Sequence, residues 1–86
     1  MNTTTDIHTV EAAVREVLAK HGRLFQDVYR LPIDASLGEA GLTSLASVNV
    51  MLALEAEFGE IPEELLARSV FRSIASLTRA MHSLTA

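Results

Sequence analysis

Ser44 is the residue whose type and position best suggest chemistry. The run from Leu45 to Phe58 contains neither proline nor glycine, so the pattern predicts a helix over residues 44–58 that Gly59 ends. The first N–H groups of a helix lack intrahelical partners and its dipole is positive there, so a phosphate attached to the Ser44 hydroxyl would be favourably placed. Serine is also a preferred N-cap residue, with Thr43 as a rival, so a purely structural cap is the alternative interpretation.

Serine catalysis requires a base within hydrogen-bond reach and a group that orients that base. The histidines, His8, His21 and His82, fall near the outer ends of the predicted terminal helices, and no Gly-x-Ser-x-Gly motif surrounds Ser44. The histidines also lack metal-ligand spacing, and the absence of cysteine removes disulfides, thiolate metal sites and cysteine nucleophiles. A small serine hydrolase is therefore the weakest hypothesis, and we predict a protein that is not an enzyme.

The predicted helix carries two apolar stripes. With about 100° between successive residues, the stripe with core-facing spacing consists of Ser47, Val50, Met51, Leu54 and Phe58. Leu45, Val48 and Leu52 lie on a separate arc. One face suffices to build the core of so small a protein, so we expect the second stripe to face outward as a docking surface for another protein. The alternative is a central helix with both stripes buried.

The segments before this helix also predict helical structure. Asp6 suits the N-cap of a first helix that ends at Gly22, with an apolar face of Ile7, Val10, Val14, Val17 and Leu18. Residues 23–43 form a connection longer than is usual in helical bundles, so it is expected to contain structure. We predict a short helical turn ending before Pro32 that packs Leu24, Phe25, Val28, Tyr29 and Leu31 on the core.

After Gly59 the pattern predicts a short helix and then a long one. The short helix covers residues 61–66, with Pro62 at its first position and Ile61, Leu65 and Leu66 inward. The last helix begins at Ser69 or Val70, because an amphipathic repeat follows, formed by Phe71, Ile74, Leu77, Met81 and Leu84. The sequence thus predicts an all-α fold with three main helices, one short helix and a long first loop.

Size and charge restrict the class of protein. The 86 residues suit a single domain, with residues 1–5 as a loose tail. The net charge of −4 and dispersed basic residues argue against nucleic-acid binding. No apolar run approaches a membrane span and the N-terminus lacks a signal-peptide pattern. We therefore expect a cytoplasmic monomer that binds neither nucleic acid nor a membrane.

The segment from Gly41 to Phe58 resembles the acyl carrier protein family, which includes peptidyl and aminoacyl carriers. In that family a Gly-(Leu/Ala)-Asp-Ser-Leu motif opens the second helix of a small four-helix bundle, and its serine is esterified with 4'-phosphopantetheine. The resemblance covers roughly residues 7–82. It implies that Ser44 is the attachment site. The residues that it implies for partner binding are Thr43, Leu45, Val48, Leu52 and Glu55.

The motif departs from the family pattern in its charge. Thr43 replaces the usual Asp. Several positions that are acidic in the family's second helix, which partner enzymes recognise, are occupied here by Ala46, Asn49 and Ala56. The electrostatic attraction of this helix for a positively charged partner is therefore weaker. Charge complementarity affects partner choice and association rate more than affinity. This favours a dedicated system over housekeeping fatty-acid enzymes. The Gly-Leu-Thr-Ser variant looks most like freestanding carriers that a synthetase-like ligase loads with an amino acid.

Two main hypotheses follow. The first is a carrier protein that a phosphopantetheinyl transferase modifies. An amino acid or acyl ligase then loads it through a thioester, and a downstream acyl or aminoacyl transferase removes the cargo. The cargo is an amino acid or, alternatively, an acyl group of a specialised fatty-acid or polyketide pathway. The second is a cofactor-free helical interaction module in which Ser44 only caps its helix and the second stripe binds a partner.

Overall fold

The computed structural model describes residues 6–85, and the predicted tail at residues 1–5 lies outside that range. Three α-helices form the body: α1 spans Ile7–His21, α2 spans Ser44–Phe58 and α3 spans Ile74–Thr85. Three short 3₁₀ segments lie between them, at Val28–Arg30, Glu63–Leu65 and Arg68–Arg72. Within the described range there is no strand. The all-α prediction is therefore confirmed.

The ends of α1 are set by local hydrogen bonds. The Asp6 carboxylate accepts from the His8 N–H at 3.0 Å, which caps the helix as predicted. The helix ends at Gly22, whose N–H donates to the Leu18 carbonyl at 2.8 Å. The residue in the left-handed region is Arg23, with φ 54°. Of the predicted apolar face of α1, Val10, Val14, Val17 and Leu18 are buried, whereas Ile7 in the first turn is 40% exposed.

A single aliphatic core joins the three helices and the first loop. It consists of Val10, Val14, Val17, Leu18, Val28, Leu31, Leu37, Ala40, Val50, Leu54, Ile61, Ile74, Leu77, Ala80 and Met81. Burial of such side chains is the main favourable contribution to folding. No helix in the described part of the chain has the length and hydropathy of a membrane span.

Arg15 anchors the first loop to α1. Its Nη1 atom donates to the Val28 and Leu31 carbonyls at 2.6 and 2.8 Å, and its Nε atom donates to Glu11 at 3.0 Å. Hydrogen bonds from a charged donor to loop carbonyls are among the stronger ones in proteins. The half-buried arginine therefore fixes the position of the short 3₁₀ segment.

The prediction that Phe25 and Tyr29 pack on the core is wrong. A 3₁₀ segment has about three residues per turn, so Val28 and Leu31 eclipse on its inner side and Tyr29 points outward. Val28 and Leu31 are buried, whereas Phe25 is 84% exposed. The Phe25 ring instead covers Gly41, close to the start of α2.

The region between α2 and α3 also differs from prediction. The expected short helix is a 3₁₀ segment, and Leu66 is partly exposed rather than inward. A second 3₁₀ segment follows, so α3 begins at Ile74 and not at Ser69 or Val70. The reason is a reciprocal pair of hydrogen bonds: the Ser73 N–H donates to Ser76 Oγ at 3.0 Å, and the Ser76 N–H donates to Ser73 Oγ at 3.1 Å. Such a pair marks a helix start.

Two backbone hydrogen bonds connect the first loop to residues 72–75, around the start of α3, and a third lies within the loop. The Leu37 N–H donates to the Arg72 carbonyl at 2.8 Å, and the Ala75 N–H donates to the Ile33 carbonyl at 2.7 Å. The Leu42 N–H donates to the Leu37 carbonyl at 2.8 Å, two residues before α2 begins. The position at which α2 starts is thus tied to the segment that precedes α3.

Candidate functional site

Gly41 shapes the approach to α2. Its φ of 112° lies in a region that side chains strongly disfavour. A Cβ atom at this position would also lie 3.1 Å from carbon atoms of the Phe25 ring. The φ angle favours glycine here, and a side chain would also have to displace the exposed Phe25 ring by a few tenths of an ångström. The turn at Gly41 is followed by the extended residue Thr43.

Thr43 is the N-cap of α2. Its φ and ψ are −93° and 166°, and its Oγ1 atom accepts from the Ala46 N–H at 3.1 Å. Its carbonyl accepts from both the N–H and the Oγ of Ser47, each at 2.9 Å. Of the two rival capping residues, the structure therefore assigns the cap to Thr43.

Ser44 is the first residue of α2 and is exposed to solvent. Within residues 6–85, its hydroxyl makes no side-chain hydrogen bond of the kind that occupies Thr43 and Ser47. It lies at the positive end of the helix dipole, where an attached anion is stabilised by about 0.3–1 kcal/mol. The residue has a free, accessible hydroxyl in an environment that favours a phosphate ester.

The outward stripe of α2 is exposed as predicted. Leu45, Val48 and Leu52 are 76%, 48% and 53% exposed, respectively. On the opposite face Val50 and Leu54 are fully buried. The alternative in which both stripes are buried is therefore wrong. Leu45 directly follows Ser44, so the apolar stripe begins beside the free hydroxyl.

Glu55 lies on the same side of α2 but is already engaged. One of its carboxylate oxygens accepts from the Ile61 N–H at 3.4 Å, a long hydrogen bond that supports the turn after Gly59. The side chain is only partly exposed. Its contribution to partner binding, predicted together with Thr43, stays a prediction.

An open groove of about 800 Å³ runs beside Ser44. Its α2 wall includes Ser47, Val48 and Met51, and the segment before α3 supplies the opposite wall. That second wall contains Leu66, Arg68, Ser69, Phe71 and Arg72. Its residues were not predicted as part of the site, because they come from a segment that is distant from Ser44 in the sequence. The one sequence signal is the pair of arginines four residues apart in an acidic chain.

The groove offers Ser44 neither a general base nor a carboxylate. Its lining includes no His, Asp or Glu. His8 and His21 lie on α1, and His82 lies in the last turn of α3. Across residues 6–85 no group of three or more His, Asp or Glu side chains is placed to hold a metal ion. The arrangement suits a hydroxyl that another enzyme modifies.

Comparison with known families identifies the chain. Residues 8–81 match the family described as "Phosphopantetheine attachment site". The chain belongs to the phosphopantetheine-attachment family of carrier proteins. Proteins of this family are carriers and not catalysts themselves, and their prosthetic group is covalently bound 4'-phosphopantetheine.

A curated relative indicates the kind of carrier. The aminoacyl carrier protein of Agrobacterium fabrum strain C58 is 44% identical over 69 residues, which cover 79% of this chain and 83% of the relative. The chain is therefore a homologue of an aminoacyl carrier protein.

Solved structures agree with this relationship. One match, with a TM-score of 0.77 and 42% identity, is to the crystal structure of an engineered Bradyrhizobium japonicum glycine:[carrier protein] ligase complexed with carrier protein from Agrobacterium tumefaciens and AMP. It covers 81% of this chain and 95% of the matched chain, so the matched chain is the small carrier protein. A solution structure from Agrobacterium tumefaciens matches with a TM-score of 0.67 and 40% identity, covering 86% of this chain and 90% of the other. The carrier-protein fold predicted from the motif is confirmed.

The surroundings of Ser44 fit the family's prosthetic group. The hydroxyl is accessible, the helix start favours the negative phosphate, and the adjoining groove is open to solvent. When bound, the group supplies a thiol to a chain that has no cysteine.

The different roles of Thr43 and Ser44 predict different effects on stability. Thr43→Val removes the capping acceptor and should lower the free energy of unfolding by about 1 kcal/mol, whereas Thr43→Ser should largely preserve it. Ser44→Ala should change it by less than about 0.5 kcal/mol, because that hydroxyl holds no structural hydrogen bond. Urea unfolding followed by circular dichroism measures these differences. Equal losses for Thr43→Val and Ser44→Ala would contradict the assignment of the cap.

Proposed function

We propose that this chain is an aminoacyl carrier protein in which Ser44 Oγ bears 4'-phosphopantetheine. The observation that carries the proposal is the exposed Ser44 hydroxyl, left free because Thr43 caps α2. The identity of 44% to an aminoacyl carrier protein favours an amino acid over a fatty-acyl or polyketide cargo.

The modification is a simple exchange of phosphorus–oxygen bonds. Ser44 Oγ attacks the phosphorus of coenzyme A that is next to pantetheine and loses its proton. The bond to the second phosphate breaks, and adenosine 3',5'-bisphosphate leaves. Because the groove lining provides no base, the phosphopantetheinyl transferase supplies it, and the chain itself contributes an accessible nucleophile at the positive end of α2.

The helical body serves as the handle that partner enzymes bind. Leu45, Val48 and Leu52 form an exposed apolar stripe beside Ser44, and such a stripe on a helix suits a hydrophobic groove on another protein. Thr43 and Glu55 lie at its two ends. We propose that an ATP-dependent amino acid ligase loads the arm while bound to this stripe, and that an aminoacyl transferase later takes the cargo. We also propose a cytoplasmic location, because the proposed loading reaction consumes ATP.

The attachment site is tested by modification in vitro. Apo protein treated with coenzyme A and a broad-specificity phosphopantetheinyl transferase should gain one phosphopantetheine by intact mass. Ser44→Ala should gain none. Ser47→Ala is the matched control, because Ser47 is one turn away and its hydroxyl is already bound to the Thr43 carbonyl; it should be modified like the wild type. Absence of modification in the wild type, or modification of Ser44→Ala, would refute the proposal.

The partner face is tested with a charge placed on the exposed stripe. Val48→Asp should weaken binding of the Bradyrhizobium japonicum glycine:[carrier protein] ligase by about 30-fold, equivalent to about 2 kcal/mol, because it puts an unpaired charge in a desolvated contact. Ala12→Asp adds the same charge on an exposed position of α1 and should leave binding unchanged. The dissociation constant of each holo variant is measured by calorimetry. Equal affinities for Val48→Asp and wild type would exclude this stripe as the ligase contact.

A further inference from the structure

The groove beside Ser44 has a charge opposite to that of the chain as a whole. The protein has 11 acidic and 7 basic side chains besides histidine, yet the charged residues in the groove lining are Arg68 and Arg72 alone. We propose that these two arginines bind the phosphodiester of the arm on Ser44, and that the groove holds the arm against the protein between encounters with partner enzymes. This inference rests on the proposed attachment at Ser44.

The backbone places Arg72 near the start of α2. Its carbonyl accepts from the Leu37 N–H, and the Leu37 carbonyl accepts from the Leu42 N–H, both at 2.8 Å. Leu42 lies two residues before Ser44, so two hydrogen bonds connect Arg72 to the helix start. Arg68 lies four residues earlier on the same 3₁₀ segment and lines the same groove.

Both guanidinium groups are available for an anion. The ion pairs within residues 6–85 join Glu11 to Arg15 and Glu16 to Lys20, and neither Arg68 nor Arg72 takes part. Both arginines are exposed. A guanidinium group matches the geometry of phosphate oxygens and pairs with them through charge-assisted hydrogen bonds. The phosphodiester would lie between these cations and the positive end of α2.

The rest of the groove matches the chemistry of the arm. Pantetheine has a dimethyl-substituted carbon and two amides, so it needs apolar and polar contacts along its length. Val48, Met51, Leu66 and Phe71 supply apolar surface. The hydroxyls of the groove's serines supply polar surface. Leu66 was predicted to face inward but is partly exposed, which is consistent with its position in the groove wall.

The test compares apo and holo protein by NMR, with the holo state verified by intact mass. In the wild type, attachment of the arm should shift the amide signals of Met51, Leu66 and Phe71, and the ³¹P signal of the phosphodiester should change with NaCl concentration as the ion pairs are screened. The double variant Arg68→Gln/Arg72→Gln should lose both effects. Arg79→Gln removes an exposed arginine of α3 that does not line the groove, and it should behave like the wild type.

The outcomes separate this inference from the proposed function. A wild-type chain that gains the arm but shows unmoved groove amides overturns the inference and leaves attachment at Ser44 intact. Holo spectra of the double variant that equal those of the wild type overturn it as well. If that variant also binds the ligase more weakly, the arginines contact an acidic partner surface instead. A wild-type chain that accepts no arm overturns both proposals.

Discussion

One hydrogen bond, from the Ala46 N–H to Thr43 Oγ1 at 3.1 Å, determines what Ser44 is able to do. A helix start needs a side-chain acceptor, and two adjacent hydroxyl residues compete for that position in this sequence. Because Thr43 takes it, Ser44 becomes the first helical residue and its hydroxyl remains free. Had the register shifted by one residue, Ser44 would hold the cap, and its oxygen would be engaged with the backbone.

The rest of the fold keeps that helix start in place. The two fixed points are Gly41, which makes the turn beneath the Phe25 ring, and Leu37, which links the first loop to Arg72. Arg15 holds the preceding 3₁₀ segment to α1. Helix α2 then contributes Val50 and Leu54 to the core while it leaves the opposite stripe in solvent. A free hydroxyl and an exposed apolar surface are thereby presented on one side of a stable bundle.

The features that the sequence predicts well are those set by local pattern. The bounds of α2 follow from a glycine-free run and Gly59, and its two faces follow from the 3.6-residue period. The predicted start of α3 was wrong because the apolar repeat from Phe71 to Leu84 continues across Ser73, where the 3₁₀ segment ends and α3 begins. Periodicity alone therefore does not reveal that Ser73 caps a new helix. Phe25 was misplaced because it lies in a bend before the 3₁₀ segment, where its ring packs beside Gly41, a residue 16 positions later in the chain. The groove wall at Arg68 and Arg72 depends on packing between distant segments, which no local pattern encodes.

The central claim is that Ser44, freed by its neighbour, carries the prosthetic arm. Its most direct test is the intact mass of the protein purified from its own host, followed by fragmentation to locate any added group. The account predicts phosphopantetheine, with or without a thioester-bound amino acid, on the peptide that contains Ser44 and on no other. A native protein whose Ser44 peptide is wholly unmodified, or whose arm is attached to a different residue, would contradict it.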